Sequence, residues 1–202
     1  MFFKKHAAEC AFPPIVAFGS HSSMPHYNSL SHGAKENQSQ ALKFRDIVLL
    51  DFGARVEGYC ADMTRMIFVG DPTPEWIQAY KALLHAQQAA ILSLRAHFSH
   101  TNDAKTHAVN GSELDVQTRT LLRNEGFPEH PHTLGHGLGL DIHETPRLSQ
   151  YTDSILEPGM VITIEPGIYI PELFGMRIED TIALTDSGIE VLTASDKTMI
   201  IK

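Results

Sequence analysis

The sequence predicts a mixed α/β domain built from two related halves. Three observations carry that prediction: an internal repeat that keeps its acids, short apolar runs bounded by glycine or proline, and two helical patterns lying between those runs. Leu42 to Thr64 reads LKFRDIVLLDFGARVEGYCADMT and Leu156 to Thr181 reads LEPGMVITIEPGIYIPELFGMRIEDT. Setting Leu42 on Leu156 puts Asp51 on Glu165 and Gly53 on Gly167. After a three-residue length difference, Gly58 falls on Gly175, Asp62 on Glu179 and Thr64 on Thr181. Each copy is a strand ending in a carboxylate, a glycine-containing turn, and a strand carrying a second carboxylate. Acids that hold their places while the apolar filler drifts imply a duplicated half-site, with two carboxylate pairs facing each other across a pseudo-twofold axis.

The elements follow in chain order. Residues 13–19 and 47–51 are β-rich runs, and 59–70 alternates as one strand ending at Gly70. Thr73 as N-cap and Pro74 at the first helical position open a helix over about 74–95, with Trp76, Tyr80, Leu83, Leu84, Ile91 and Leu94 on one face. Residues 97–111 are polar and aperiodic, a surface loop. Ser112 with Asp115 resembles a capping box for a second helix over about 113–125, and Gly126 stops it. Strands return around 133–142, 160–169, 176–184 and 189–192. By symmetry two helices should also precede the first half, yet few residues lie before Pro13. The expectation is therefore one domain over 1–202, truncated at its N-terminus and lacking its first helices.

Composition narrows the functional classes. A chain of 202 residues with 43% apolar and 20% charged side chains has the makeup of a soluble globule with a full core. A formal charge of −8 without clustered Lys or Arg argues against a nucleic-acid or membrane partner. Cys10 and Cys60 form no CxxC pair, and no apolar run has transmembrane or signal-peptide character, so the expected location is cytoplasmic. Cys60 is expected to be a small packed apolar residue.

Five residues carry the chemistry. A strand period of two puts Asp62 on the face of Thr64, and Glu179 on the face of Arg177 and Thr181. Asp51 and Glu165 end apolar strands, where a carboxylate is costly to bury unless paired or metal-bound. The fifth is His136, flanked by glycines in HTLGHGLGLDIHE. A lone strand-end Asp is more often a turn former, and a glycine-flanked His a loop residue. Two Asp, two Glu and one His in duplicated contexts match two divalent cations that share bridging carboxylates.

The segments LLDFGARVEGYCADMTR, HTLGHGLGLDIHETP, TIEPGIYI and GMRIEDT closely resemble the pita-bread metallopeptidases, the family of aminopeptidase P, prolidase and methionine aminopeptidase. The resemblance runs from about Phe12 onward and implies a single catalytic domain over 1–202 with a pita-bread fold and internal pseudo-twofold symmetry, expected to lack the separate N-terminal domain these peptidases often carry. It implies that Asp51 chelates one ion, that Asp62 and Glu179 bridge both, and that His136 and Glu165 complete the second. Glu165 would also shuttle the proton, His143 would steady the substrate carbonyl, and His26 would line the site from the first half. Arg177 would orient the bridging carboxylates from behind, with Thr64 and Thr181 beside it. His132, four residues before His136, and RIEDT after the last bridging acid look like the Xaa-Pro branch. Strict prolidases place a carboxylate-binding arginine where this chain has Tyr151, and Arg147 is out of register. The leaning is thus an Xaa-Pro aminopeptidase acting on peptides, with a prolidase-type dipeptidase or a methionine aminopeptidase as alternatives. The intact ligand set argues against a creatinase-like hydrolase; it also argues against an inactive pita-bread remnant acting as a binding module, but truncation keeps that remnant as the alternative of another class. An oxygen-rich shell suits Mn or Co, with Zn or Fe open. A sheet face left bare by the absent helices would favour association as a homodimer.

Overall fold

The β-rich runs pair almost wholly antiparallel across residues 8–28, 41–99 and 109–201, which are those described by the computed structural model. In chain order the elements begin β1 (Glu9–Cys10), β2 (Ile15–Phe18), a 3-10 helix (Gly19–Ser23), β3 (Ile47–Phe52), β4 (Ala54–Val56), β5 (Tyr59–Cys60), β6 (Met63–Phe68) and α1 (Pro74–His97). They continue with β7 (Val109–Asn110), α2 (Gly111–Asn124), β8 (Gly135–Gly137), β9 (Glu144–Leu148), β10 (Ile155–Leu156) and β11 (Val161–Ile164). β12 (Gly167–Ile170), β13 (Phe174–Arg177), β14 (Asp180–Thr185), β15 (Gly188–Val191) and β16 (Ile200–Ile201) complete them.

The repeat is visible in the pairing. One half is a four-stranded sheet ordered β16-β6-β3-β2 and the other a five-stranded sheet ordered β15-β14-β11-β8-β9. In each, a strand leading to the first acid pairs antiparallel with the strand that follows the second, β3 with β6 and β11 with β14. On β3 and β6 the register couples Ile47 to Phe68, Leu49 to Met66 and Asp51 to Thr64. All six are buried, so the apolar core runs along one face of the strands directly into an acid and a hydroxyl.

Helix α1 backs both sheets. Its 24 residues span roughly 36 Å at the α-helical rise. Tyr80, Leu83 and Ala86 pack with Ile47, Leu49 and Phe68, while Ala90, Ile91 and Leu94 pack with Leu134, Ile162 and Ile182. Thr73 caps it as expected, its hydroxyl accepting the Trp76 N–H at 3.2 Å, with Pro74 at the first helical position. Among the described residues no helix is long and apolar enough to cross a membrane.

Several boundaries differ from the sequence expectation, each for a physical reason. Helix α2 is capped by Asn110, whose side chain accepts the Ser112 N–H at 2.9 Å, and not by a Ser112/Asp115 box. Asp115 is unavailable because it is buried against Arg119 and His130. The single strand expected over 59–70 breaks at residues 61–62, where Ala61 turns its N–H to the Ala54 carbonyl. The strand expected over 160–169 breaks at Glu165–Pro166, since proline has no N–H for a ladder. That expected over 176–184 breaks at Glu179, whose N–H donates to Thr64 of the other half at 3.2 Å. Residues 133–142 contribute only β8, and β9 was not expected. Most of the loop expected over 97–111, residues 100–108, lies outside the described residues.

Candidate metal centre

His136 enters the site because its neighbours have no side chains. A Cβ on Gly135 would sit 1.9 Å from the Thr163 carbonyl oxygen, and one on Gly137 would sit 2.2 Å from that of Thr145. Glycine on both sides lets β8 lie against β11 and β9 with the imidazole between them. The His136 Nδ1–H donates to the Gly137 carbonyl at 3.0 Å, which leaves the Nε2 lone pair facing Glu165 Oε1 at 3.3 Å and Asp62 Oδ2 at 3.8 Å. Burial lowers its pKa to about 4, so the ring is neutral and able to ligate at physiological pH.

The acids come from strand interruptions as much as from strands. Asp51 lies within β3, Asp62 just before β6, Glu165 just after β11, and Glu179 between β13 and β14. Asp62, His136 and Glu179 each offer a ligating atom, all within 4.8 Å of one another. Thr64 donates to Glu179 Oε2 at 2.7 Å, while the Thr181 hydroxyl donates to the main-chain carbonyl of Asp62 at 2.8 Å. The two threonines therefore work across the pseudo-twofold axis, not on the acid of their own strand as the simple period predicts. Behind the site, Asp180 accepts from Arg65 at 2.8 Å and from Gln87 at 2.7 Å, and it also pairs with Lys197. Arg65 in turn donates to the carbonyls of Thr64 and Glu179, tying the halves together.

Arg177 is the guanidinium that touches the acids. It donates to Asp51 Oδ2 at 2.6 Å, to the Thr64 hydroxyl at 3.0 Å and to the Tyr169 hydroxyl at 2.7 Å, and it lies 3.9 Å from Glu165 Oε2. Its direct carboxylate contact is with Asp51, and it reaches Glu179 only through Thr64. One guanidinium cannot balance four carboxyls, three of them buried and Glu165 largely so. Burial first, then Asp51 and Glu165, pushes Asp62 up to about 8. Burial raises Glu165 to about 7 against the pull of Arg177, and burial with the neighbouring acids holds Glu179 well above its ordinary value. Asp51 Oδ1 and Asp62 Oδ1 are buried without a hydrogen-bond partner among the described residues. Orphaned carboxylate oxygens, crowded acids and a neutral imidazole form a donor set that fits divalent cations.

A cleft of about 1020 Å³ opens over this cluster, and His26, His132 and His143 line it with the acids. The His143 ring stands edge-on to that of His136, with centroids 4.5 Å apart. His26 is lowered by burial and then by Arg177. Burial and Arg177 also lower His132, to about 3. The His132 Nδ1–H donates to the Thr133 carbonyl at 2.8 Å and Nε2 accepts from the Tyr169 hydroxyl at 3.0 Å. Both ring nitrogens of His132 are thus engaged.

With the geometry in place, comparison with known proteins identifies the family. The profile of metallopeptidase family M24 matches residues 1–186. The chain belongs to this family. An Xaa-Pro dipeptidase of Pyrococcus furiosus is 38% identical over 195 residues, covering 96% of this chain and 51% of that protein. Among solved structures, a prolidase from Thermococcus sibiricus matches with a TM-score of 0.83 at 34% identity, covering 96% of this chain and 48% of that one. An X-Pro aminopeptidase from Thermotoga maritima matches with a TM-score of 0.84 at 34% identity, covering 98% and 52%. The chain thus spans about half the length of the relatives it matches, and its fold is the pita-bread α/β fold of the M24 enzymes.

Some residues of this M24 site were not singled out from sequence. Tyr169, four residues after Glu165, links Arg177 to His132; its signal was an aromatic hydroxyl two residues past Gly167 in a strand of the acid repeat. Cys60 is half-exposed beside Arg55 at 3.5 Å, which corrects the expectation of a packed apolar residue.

The raised acids predict a pH dependence for the metal-free chain. A carboxyl whose folded pKa exceeds its unfolded value destabilises the fold progressively as pH rises between the two, here from about 4 for the unfolded groups to about 8 for Asp62. The lowered histidines act oppositely, since unfolding takes up protons below about pH 6.5 until the folded value is passed, about 4 for His136. Between pH 6.5 and 9 only the carboxyl effect operates strongly. Thermal melts in chelator are expected to show Tm falling across that window, and saturating Mn²⁺ to remove the fall; a Tm that rises with pH in chelator would contradict the crowded-acid geometry.

Proposed function

We propose that this chain carries the catalytic machinery of a dinuclear metallo-exopeptidase that hydrolyses the Xaa-Pro bond at the N-terminus of peptides. The observation that carries the proposal is the pair of orphaned buried oxygens on Asp51 and Asp62 beside a neutral His136. In this reading Asp51, Asp62, His136, Glu165 and Glu179 hold two divalent ions, with Mn or Co favoured by the oxygen-rich donor set. The ions, when bound, supply Lewis acidity and lower the pKa of water enough to provide a nucleophile near neutral pH.

The chain's own residues do the rest. Glu165 takes up the proton as water adds to the scissile carbonyl and passes it to the leaving amine, whose nitrogen, being proline's, carries no proton of its own. His143, edge-on to His136, donates to the developing oxyanion, and His26 closes the same wall. Arg177 holds Asp51 in place, while Tyr169 fixes the His132 ring against the substrate. Cys10 and Cys60 are both unpaired, which supports a reducing, cytoplasmic setting.

A dipeptidase reading has one observation in its favour: Arg147 and Tyr151 line the cleft together, so a cation is within the space a free substrate carboxylate would enter. Metal analysis with rates on an Xaa-Pro dipeptide, an Xaa-Pro-Xaa tripeptide and a Met-peptide tests these readings. Two bound ions with faster turnover of the tripeptide is the expected result, and preference for the dipeptide would move the assignment to a prolidase. Exclusive cleavage of the Met-peptide, or no metal uptake, would overturn the proposal.

A further inference from the structure

Helix α2 buries a charged pair that the chemistry above does not use. Asp115 is fully buried and Arg119 nearly so. A carboxylate is tolerated there only if its oxygens are well supplied with donors. Arg119 Nε donates to both Asp115 oxygens at 2.9 and 3.0 Å, His130 Nε2 donates at 2.8 Å, and the main-chain N–H of Gln150 donates at 2.8 Å. The rest of the Arg119 fork continues outward, to the His130 carbonyl at 2.7 Å and the His132 carbonyl at 2.6 Å. One ion pair thus holds the main chain of residues 130–132 and of residue 150, and both segments line the cleft.

We propose that Asp115 and Arg119 are positioning residues that clamp two segments lining the substrate cleft to α2, fixing where His132 stands and how far it lies from Gln150 and Tyr151. The inference rests on the peptidase reading of that cleft. A buried ion pair contributes little net stability compared with an apolar pair of similar volume, whereas a planar guanidinium bonded to two carbonyls fixes a single backbone geometry. The His130 ring lies 5.3 Å from that of His132, and its Nδ1 is buried without a hydrogen-bond partner, so among the described residues Asp115 alone holds it by hydrogen bonding. Losing either member of the pair frees the segment that carries His132.

Arg119→Lys tests this, because lysine keeps a cation beside Asp115 but cannot bond the two carbonyls together. KM for an Xaa-Pro peptide is expected to rise about tenfold with kcat changed less than about threefold, since ground-state and transition-state binding are lost alike. Metal content should stay at the wild-type level. Hydrogen exchange should quicken in residues 130–134 and 150–152 while β3 and β11 stay protected. Asp115→Asn, which keeps the side chain's shape but offers one acceptor oxygen where two held Arg119, His130 and the Gln150 N–H, should give the same pattern and serves if the lysine variant does not fold. A kcat/KM within about twofold of wild type, or exchange that quickens equally everywhere, overturns the clamp. If the unaltered chain cleaves no Xaa-Pro peptide, the functional reading fails and the exchange pattern alone decides: quickening confined to the two segments upholds the clamp, and its absence overturns it.

Discussion

Asp62→Asn is expected to abolish metal binding, to lower kcat/KM on Xaa-Pro peptides by about a thousandfold or more, and yet to raise the stability of the metal-free chain. The two effects have one cause. Asp62 is buried, and among the described residues it makes no hydrogen bond through Oδ1 and stands with Asp51, Glu165 and Glu179 around the single offsetting cation of Arg177. Its pKa moves from 3.8 to about 8 in the folded chain. At ~1.4 kcal/mol per unit, the charged form costs the metal-free fold on the order of 5 kcal/mol at pH 8. The amide replaces the neutral acid at a similar burial cost, and allowing about 2 kcal/mol for its imperfect hydrogen bonding leaves a gain of about 3 kcal/mol. For a chain of this size that is a rise of roughly 6–12 °C in Tm. Melts of both proteins in chelator at pH 8, beside metal analysis of both, measure the difference. A lower Tm for the variant, or ions retained at the wild-type level, would mean that the acids do not crowd as the geometry requires.

The same crowding explains why the site was readable before the structure and why parts of it were not. Asp51, Asp62, Glu165 and Glu179 stood out because a duplicated context preserves them, and duplication survives in the linear sequence. His136 stood out only in conjunction with those acid pairs and the motif around it; that its flanking glycines permit a close backbone approach is what the structure adds. What the alternation could not show is where a strand stops alternating. Asp62 and Glu179 both sit at breaks, and the break at Glu179 exists because its N–H turns to Thr64 in the other half. That bond joins residues 115 positions apart, and a period of two carries no information about it. Asn110 displaced Ser112 as the cap for a similar reason. Asp115 has the right spacing for a capping box, but Arg119 one turn on and two partners distant in sequence, His130 and Gln150, draw it into the interior. Asp115 and Arg119 do carry a local signal, an acid four residues before a base on a helix, though that spacing usually marks a solvated pair. Long-range polar contacts were what the sequence hid, and in this fold they hold the cleft.

Arg177→Met should have the opposite effect on the metal-free chain. The guanidinium is nearly fully buried and gives three of its hydrogen bonds to Asp51, Thr64 and Tyr169. Methionine approximates its length without charge, so Asp51 loses its cation and the Tyr169 hydroxyl loses its donor. Removing one partner of a buried ion pair costs about 3–5 kcal/mol, because the other charge is left uncompensated. Arg177 also lowers the pKa values of Asp62, Glu165 and Glu179, so without it those acids hold their protons more firmly. A Tm fall of about 10 °C or more in chelator is expected at pH 7.5. Divalent ions should recover a larger part of this loss than the stabilisation they give the unaltered chain, since they supply the positive charge the variant lacks. Peptidase activity should stay low even when metal content is restored, because Tyr169 no longer has Arg177 to hold it against His132. Melts with and without Mn²⁺, set beside those of Asp62→Asn, separate two kinds of buried charge in one site: an acid the metal-free fold is better without, and a base it cannot lose.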